Sequence, residues 1–223
     1  MMQAPAPSSF AGISDLIAVL VLLSAFAMFR AQLLRSQVRL YAGQSVLVGI
    51  LTGFLAATHH IAELYAFGAI SIILKVVIVP RVIIRFLDRS ETNLSSSTSM
   101  GIASMTLIAI GVAVVGLFTM DSIHFESTAL PTTALAISVA TVLVAFLLAI
   151  FRSDVVSQAI GFLSMENGVS VASLVVASGI PLVIDIAFLF DLLVAAIVFG
   201  LMMRVHHARA KTLSTELLDR LKG

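Results

Sequence analysis

Long apolar stretches separated by short polar segments dominate this sequence, and they predict a chain of membrane-spanning helices. Each stretch is close to the roughly 17–25 residues that a helix needs to cross about 30 Å of hydrocarbon. No alternating strand pattern appears, and lipid-exposed backbone must satisfy its own hydrogen bonds, so helices are the expected spans. We predict seven spans, at residues 13–29, 40–58, 61–84, 100–119, 132–151, 155–178 and 181–203.

The composition agrees with a chain whose solvent is the lipid bilayer. Hydrophobic residues make up 60% of the sequence, charged residues only 11%, and the mean hydropathy is +1.12, whereas a soluble domain carries about 25% charged residues. A net charge of +1 gives no reason to propose a nucleic-acid partner. The sequence contains no Cys, which excludes disulfides, Cys-ligated zinc and Cys-ligated iron–sulfur clusters within this chain.

The distribution of positive charge predicts the orientation. An alternating topology of seven spans places twelve of the thirteen Lys and Arg residues on one face, and the loops of the opposite face carry none. The positive-inside rule then predicts that the N-terminus lies outside and the C-terminus lies in the cytoplasm. The N-terminal segment has no positively charged region, so the first helix is expected to be retained. The twelve residues are Arg30, Arg35, Arg39, Arg81, Arg85, Arg89, Arg152, Arg204, Arg209, Lys211, Arg220 and Lys222.

The sequence also contains a weak internal repeat. The segment AFAMFR at 25–30 is similar to LLAIFR at 147–152, 122 residues later, and polar pairs follow in both halves, Gln44-Ser45 first and Glu166-Asn167 later. Both units have the same predicted orientation, so the repeat is parallel. We therefore divide the chain into a first three-helix unit (1–90), a polar linker with an extra helix (91–130), a second three-helix unit (131–205) and a cytoplasmic tail (206–223).

Five ionisable residues inside or near the spans are the candidate functional residues. Lys75, Glu166 and Asp191 lie near the middle of their predicted spans, Glu166 roughly 16 Å deep at 1.5 Å per residue. Such groups cost about 2.5–3.5 kcal/mol on insertion scales and usually mark ion pathways or pairs. The three residues are either a proton relay or a structural ion pair that locks helices together. Asp185 and Glu63 lie nearer the outer ends, where they serve either a proton exit path or a solvated helix end.

Other polar residues are interpreted as structural. Asn167 and Gln44 either orient a carboxylate or join helices, and packing is the expected role. The histidine pairs at 59–60 and 206–207 lie on opposite predicted faces with no converging carboxylates, so no metal site is expected. The sequence shows no nucleophile–base arrangement and no Gly-rich nucleotide loop after a strand, so no catalytic residues are predicted in this chain.

Two stretches in particular resemble the hydrogenase-4 component E family, namely SQAIGFLSMENGVSV at 157–171 and ILKVVIVP at 73–80. YAGQSVLV at 41–48, DIAFLFDLLVAAIVFGLMMR at 185–204 and the terminal LKG agree with that resemblance. The family comprises membrane subunits of formate hydrogenlyase-type and related group 4 hydrogenase complexes. It is similar in turn to the small three-helix subunit K of complex I and to its counterpart in multisubunit sodium/proton antiporters.

The resemblance implies an all-α fold of two subunit-K-like three-helix units plus one extra helix. The two proton-conducting glutamates of subunit K fall on Glu166 and Asp191, whereas the first unit departs from the pattern with Gln44 or Ser45 and with Lys75.

The same resemblance implies a non-catalytic subunit of an oxidoreductase complex. Its expected partners are antiporter-like proton-pumping subunits and the membrane anchor of a peripheral redox arm. Iron–sulfur clusters and nickel or molybdenum centres would belong to those partners. The alternatives are a subunit of a cation/proton antiporter complex without redox partners, and a purely structural spacer of a membrane arm.

Overall fold

The computed structural model describes residues 9–59, 62–89, 101–121 and 132–176 together with Gly200, and nearly all of these residues are helical. The predicted all-α class is therefore confirmed for the described part of the chain. The helices are α1 (Ser9–Arg30), α2 (Leu34–His59), α3 (Ala62–Ile72), a π-helical segment (Ile73–Ile78) that leads directly into α4 (Val79–Arg89), α5 (Ile102–Asp121), α6 (Thr132–Phe151) and α7 (Val155–Val176).

Five segments of the described residues are long and apolar enough to cross a membrane. They are Gly12–Arg30, Leu34–Ala57, Leu64–Asp88, Ile102–Thr119 and Thr132–Phe151. Helix α7 has 22 residues but carries polar side chains in its middle, and it is not among the five. Apart from Gly200, the predicted seventh span at 181–203, with Asp185 and Asp191, lies outside the described residues, as does the tail at 206–223. The count of seven therefore stays a prediction.

The first connection is much shorter than the sequence suggested. We predicted a loop between the spans that end at 29 and begin at 40, but α2 begins at Leu34 and only residues 31–33 separate it from α1. Arg35 and Arg39 therefore lie on the helix, because Leu, Arg and Gln are good helix formers and long Arg side chains reach water from a helix end. At this end of the bundle Arg35 Nη2 donates to Asp88 Oδ1 at 2.5 Å, an exposed ion pair between α2 and α4.

Four helices, α1, α2, α6 and α7, form the centre of the described bundle, with α5 against α6 and the α3–α4 helix beside α2. Glycines allow α7 to approach α6 closely. A Cβ added to Gly161 would lie 2.7 Å from the backbone nitrogen of Ala149, and one added to Gly168 would lie 2.9 Å from Val142. Helix α5 leaves large apolar side chains such as Leu107 and Phe118 largely exposed, as expected for a helix that faces lipid.

The pairs α1–α2 and α6–α7 share one local geometry. Each pair is joined by three residues, at 31–33 and at 152–154. In the first pair Gln37 Nε2 donates to the carbonyl of Ala31 at 2.9 Å, and in the second Gln158 Nε2 donates to the carbonyl of Arg152 at 2.9 Å. A glutamine side chain thus makes the equivalent hydrogen bond across the turn in both pairs.

Candidate functional site

Lys75 lies on an irregular turn of the third span. Lys75 belongs to the π-helical segment Ile73–Ile78. Directly after this segment, the N–H of Val79 donates to the carbonyl of Leu74, five residues back. Pro80 follows immediately. A proline has no N–H to give to the carbonyl four residues earlier, and its ring crowds that carbonyl, so a wider turn before Pro80 relieves the conflict. Short π-helical turns of this kind occur often at functional sites.

The structure brings Lys75 and Glu166 together. Lys75 Nζ donates to Glu166 Oε1, and the two side chains are 4% and 1% exposed. The pair joins the π-helical segment to the middle of α7, although the two residues are 91 positions apart in the chain. Removing two charges from water is expensive, and their attraction offsets that cost only when the geometry is good and further hydrogen bonds are made.

Asn167 supplies the further hydrogen bonds. Its Oδ1 accepts from Lys75 Nζ at 3.3 Å, while its Nδ2 donates to Gln44 Oε1 at 3.1 Å and to Ser45 Oγ at 3.0 Å. Gln44 Nε2 in turn donates to the carbonyl of Val21 at 3.1 Å. A continuous buried chain of polar groups therefore links the π-helical segment, α7, α2 and α1.

Ser170 completes the surroundings of the carboxylate. It lies one turn beyond Glu166 on α7, and its Oγ donates to the backbone carbonyl of Glu166 at 3.0 Å and reaches Oε1 at 3.5 Å. Glu166 Oε1 thus has an ammonium and a hydroxyl as neighbours. This arrangement can hold a negative charge on Glu166, and the carboxylate can exchange a proton with the ammonium of Lys75.

Of the five predicted site residues, the side chains of two, Lys75 and Glu166, lie in the described part of the structure. The structure pairs Lys75 with Glu166. Asp185 and Asp191 lie outside the described residues. Glu63 lies in the first turn of α3, and the position of its side chain is also outside the described part. Whether those three belong to one site with the ion pair stays a prediction.

Asn167 and Gln44 join α7 to α2, as the sequence predicted, and the structure also gives them a direct part in the site. Asn167 contacts the ammonium of Lys75, and Gln44 holds Asn167. Their position at the same level as Glu166 was a usable signal, because polar groups at one depth of adjacent spans tend to meet. Pro80, five residues after Lys75, was the signal for the irregular turn.

Arg152 lies between the spans that end at 151 and begin at 155, as predicted, and the structure shows that it is buried. Its Nη2 donates to the carbonyls of Met28 (3.3 Å), Phe29 (2.6 Å) and Ala31 (3.2 Å), where the last turn of α1 leaves carbonyls without helical partners. Desolvation lowers the pKa of Arg152, and the nearby charge of Asp154 opposes that shift. A guanidinium stays charged under such shifts, so Arg152 joins α6 to α1 as a cation.

Among the described residues no group of three or more His, Cys, Asp or Glu side chains is placed to hold a metal ion. The arrangement at Lys75 and Glu166 has one carboxylate and one ammonium. An ammonium has three donors and no acceptor, so this pair suits proton exchange better than metal coordination.

The described residues are almost entirely helical, with five membrane-length apolar helices and a buried lysine–glutamate pair that joins the third of these helices to α7. A stretch of 51 residues is 37% identical to a protein of Mycobacterium tuberculosis named "Uncharacterized protein Rv0085". The matched stretch covers 23% of this chain and 23% of that relative. No family model and no solved structure matches the chain.

Proposed function

We propose that this chain is an integral membrane subunit of a complex I-like, group 4 hydrogenase or formate hydrogenlyase-type complex, in which it contributes buried charges to a proton path. One observation carries the proposal. The ion pair of Lys75 and Glu166 is buried among apolar helices, and its lysine lies on a π-helical turn. Ionisable groups are costly in such a place and, where they occur in spans, they commonly mark proton relays.

The pair has the parts that a reversible proton carrier needs. A proton that reaches Glu166 neutralises the carboxylate and removes the counter-charge of Lys75, and loss of that proton restores the ion pair. Asn167 keeps a hydrogen bond on the ammonium in both states through its Oδ1. The irregular turn at 73–78 gives the lysine backbone a conformation that differs from the α-helix on either side, which lets Lys75 shift without unfolding the span.

The resemblance to hydrogenase-4 component E supports the choice of complex. On that basis Asp191 is the second carboxylate of the path, and Asp185 and Glu63 lie toward its outer end. The chain has no Cys, so iron–sulfur clusters and nickel or molybdenum centres belong to partner subunits. Antiporter-like subunits and the anchor of the redox arm are the proposed neighbours in the bacterial inner membrane.

The decisive experiment is Glu166→Gln in the assembled complex. Glutamine keeps the size of the side chain and an acceptor oxygen for Lys75, but it carries no exchangeable acid proton. Proton uptake into vesicles, normalised to complex on a native gel, should fall about a hundredfold, which is ~2.7 kcal/mol at the rate-limiting transfer. Asp88→Asn is the matched control, because Asp88 is an exposed carboxylate whose ion pair lies at the bundle end. Normal uptake by assembled Glu166→Gln rejects the proposal.

The proposed orientation has its own test, made simple by the absence of native cysteine. Single cysteines at Ser8 and Ser122 should react with an impermeant thiol reagent added outside the cell, whereas those at Ser96 and Ser214 should not. Labelling of Ser96→Cys from outside would show that the orientation is the opposite one. That result would not bear on the proposed proton path.

A further inference from the structure

Buried polar side chains are concentrated where α2 meets α7. Of the twelve buried polar or charged residues in the described part of the chain, seven lie on these two helices. We call the polar contact between the helices the α2–α7 seam. It comprises six of these seven, namely Gln37, Gln44 and Ser45 on α2 and Ser157, Ser164 and Asn167 on α7, together with Tyr41 on α2.

Hydrogen bonds join α2 to α7 at both ends of the seam. At the end near the interhelical turns, Ser157 Oγ donates to Gln37 Oε1 at 2.7 Å. Near the middle of the helices, Asn167 Nδ2 donates to Gln44 and Ser45 and its Oδ1 accepts from Lys75. Gln37 and Ser45 are eight residues apart on one helix, so the seam covers roughly 12 Å along α2. It leads from the turns to the ion pair.

Between its two ends the seam carries two more buried hydroxyl groups. Tyr41 lies four residues after Gln37, and Ser164 lies seven residues after Ser157, so each stays on the face of its helix that carries the seam. Both residues are 0% exposed. The Oγ of Ser164 has no hydrogen-bond partner among the described residues. A buried hydroxyl in that position can bind an ordered water, which itself needs two to four polar neighbours.

The seam starts beside solvent. Residues 152–154 and 31–33 form its end, and Asp154 Oδ1 there accepts from the backbone N–H of Ser157 at 2.7 Å. The exposed pair of Arg35 and Asp88 lies at the same end of α2. Water at the helix ends therefore has a polar side chain to bind at the first step of the seam.

We propose that the α2–α7 seam is the access route by which protons from the Arg35 side of the membrane reach the Lys75–Glu166 pair, carried by water bound along the seam. The inference rests on the proposed function and names its access route. Each water or hydroxyl accepts one proton and donates another, so the net step moves one proton from bulk water to the Glu166 carboxylate. No oxidant or reductant takes part.

Accessibility of Ser164 to small thiol reagents tests the route directly. Ser164→Cys changes one atom in a chain without native cysteine, and Ser138→Cys is the matched control. Ser138 is also buried but lies on α6, where its Oγ donates to the carbonyl of Leu135 at 2.7 Å. Ag⁺ added on the Arg35 side should protect Ser164→Cys, but not Ser138→Cys, from later maleimide labelling of the denatured protein. Ag⁺ added on the opposite side should protect Ser164→Cys more slowly. Equal rates at both positions, or no protection at Ser164, overturn the route.

Transport by seam variants separates failure of the route from failure of the proposed function. Ser164→Val and Tyr41→Phe should slow proton uptake by about tenfold, or ~1.4 kcal/mol, and a lower pH on the Arg35 side should recover part of the rate. Glu166→Gln should not recover. If Glu166→Gln is inactive while both seam variants transport normally, the route is wrong and the proposed function stands. If Glu166→Gln is fully active, the proposed function itself is wrong.

Discussion

The pairs α1–α2 and α6–α7 share a scaffold but differ at its centre. Both turns have three residues and both are closed by a glutamine six residues after the carbonyl that it binds. Glu166 lies eleven residues after the start of α7, and the same count from the start of α2 reaches Ser45. One pair thus supplies an acid, while the other supplies a hydroxyl and the amide of Gln44 that hold Asn167.

The two pairs therefore combine one turn geometry with different central residues. Two carboxylates facing each other across the seam would repel, and each would need its own cation. A single carboxylate needs one cation, which the third span supplies as Lys75. The helix pair α1–α2, which has no carboxylate at this position, instead positions Asn167 beside the ion pair through Gln44 and Ser45.

The largest effect is expected from removing the cation. Lys75→Met leaves Glu166 as a buried charge without its counter-ion, which costs about 3–5 kcal/mol, so assembly measured on a native gel should fall strongly. Lys75→Met with Glu166→Gln removes both charges and should restore assembly, because replacing a complete buried pair is often close to neutral. Proton uptake should stay absent in the double variant.

Two outcomes would contradict that reading. Recovery of both assembly and proton uptake in the double variant makes the ion pair a structural lock, as in the spacer alternative. Unchanged assembly in Lys75→Met means that Glu166 is compensated by another group. The exposed substitution Arg35→Met is the control, because surface ion pairs contribute about 0–1 kcal/mol.

Exchanging the acid between the two pairs tests whether they are interchangeable. In Gln44→Glu with Glu166→Gln the chain keeps its composition of acids and amides, but the carboxylate moves to α2. Gln44 bonds to Asn167 and to the carbonyl of Val21, and a carboxylate there cannot donate to that carbonyl. We expect uptake to stay about as low as in Glu166→Gln alone, roughly a hundredfold below normal. Recovery of transport in vesicles would show that the position of the acid is not specific.

The last residues of the similar motifs AFAMFR and LLAIFR give a third comparison. Arg30 is exposed, whereas Arg152 is buried and donates to three carbonyls at the end of α1. Arg152→Leu should lower the free energy of unfolding by about 2–3 kcal/mol, because hydrogen bonds to charged groups contribute that much. Arg30→Leu should change it by about 0.5 kcal/mol or less. Thermal unfolding in detergent measures both, and equal losses would refute the role given to Arg152.

The sequence predicted the helical class and one pair of bounds, 132–151, because apolar runs report directly on burial in lipid. It also identified Lys75 and Glu166 as candidate functional residues near the middle of their spans, because a charged residue is conspicuous in an apolar run. It did not predict that Arg152 is buried, because a loop arginine and a helix-capping arginine look alike until the neighbouring helix is known. It also did not identify Glu166 as a partner of Lys75. That pairing depends on helix rotation, which hydropathy does not encode.

The smallest expected difference concerns the two turn glutamines, and it tests how far the pairs are equivalent. Gln37 and Gln158 make the same bond to their own turns, but Gln37 is fully buried and also accepts from Ser157 Oγ at 2.7 Å, whereas Gln158 is only partly buried. Gln37→Leu therefore removes the acceptor of the buried Ser157 Oγ, at a cost of about 1–3 kcal/mol. Gln158→Leu loses one hydrogen bond near water, at about 0.5–1.5 kcal/mol. Thermal unfolding in detergent should rank Gln37→Leu as the less stable variant. The reverse ranking would mean that the turns, rather than the α2–α7 seam, determine how these glutamines stabilise the fold.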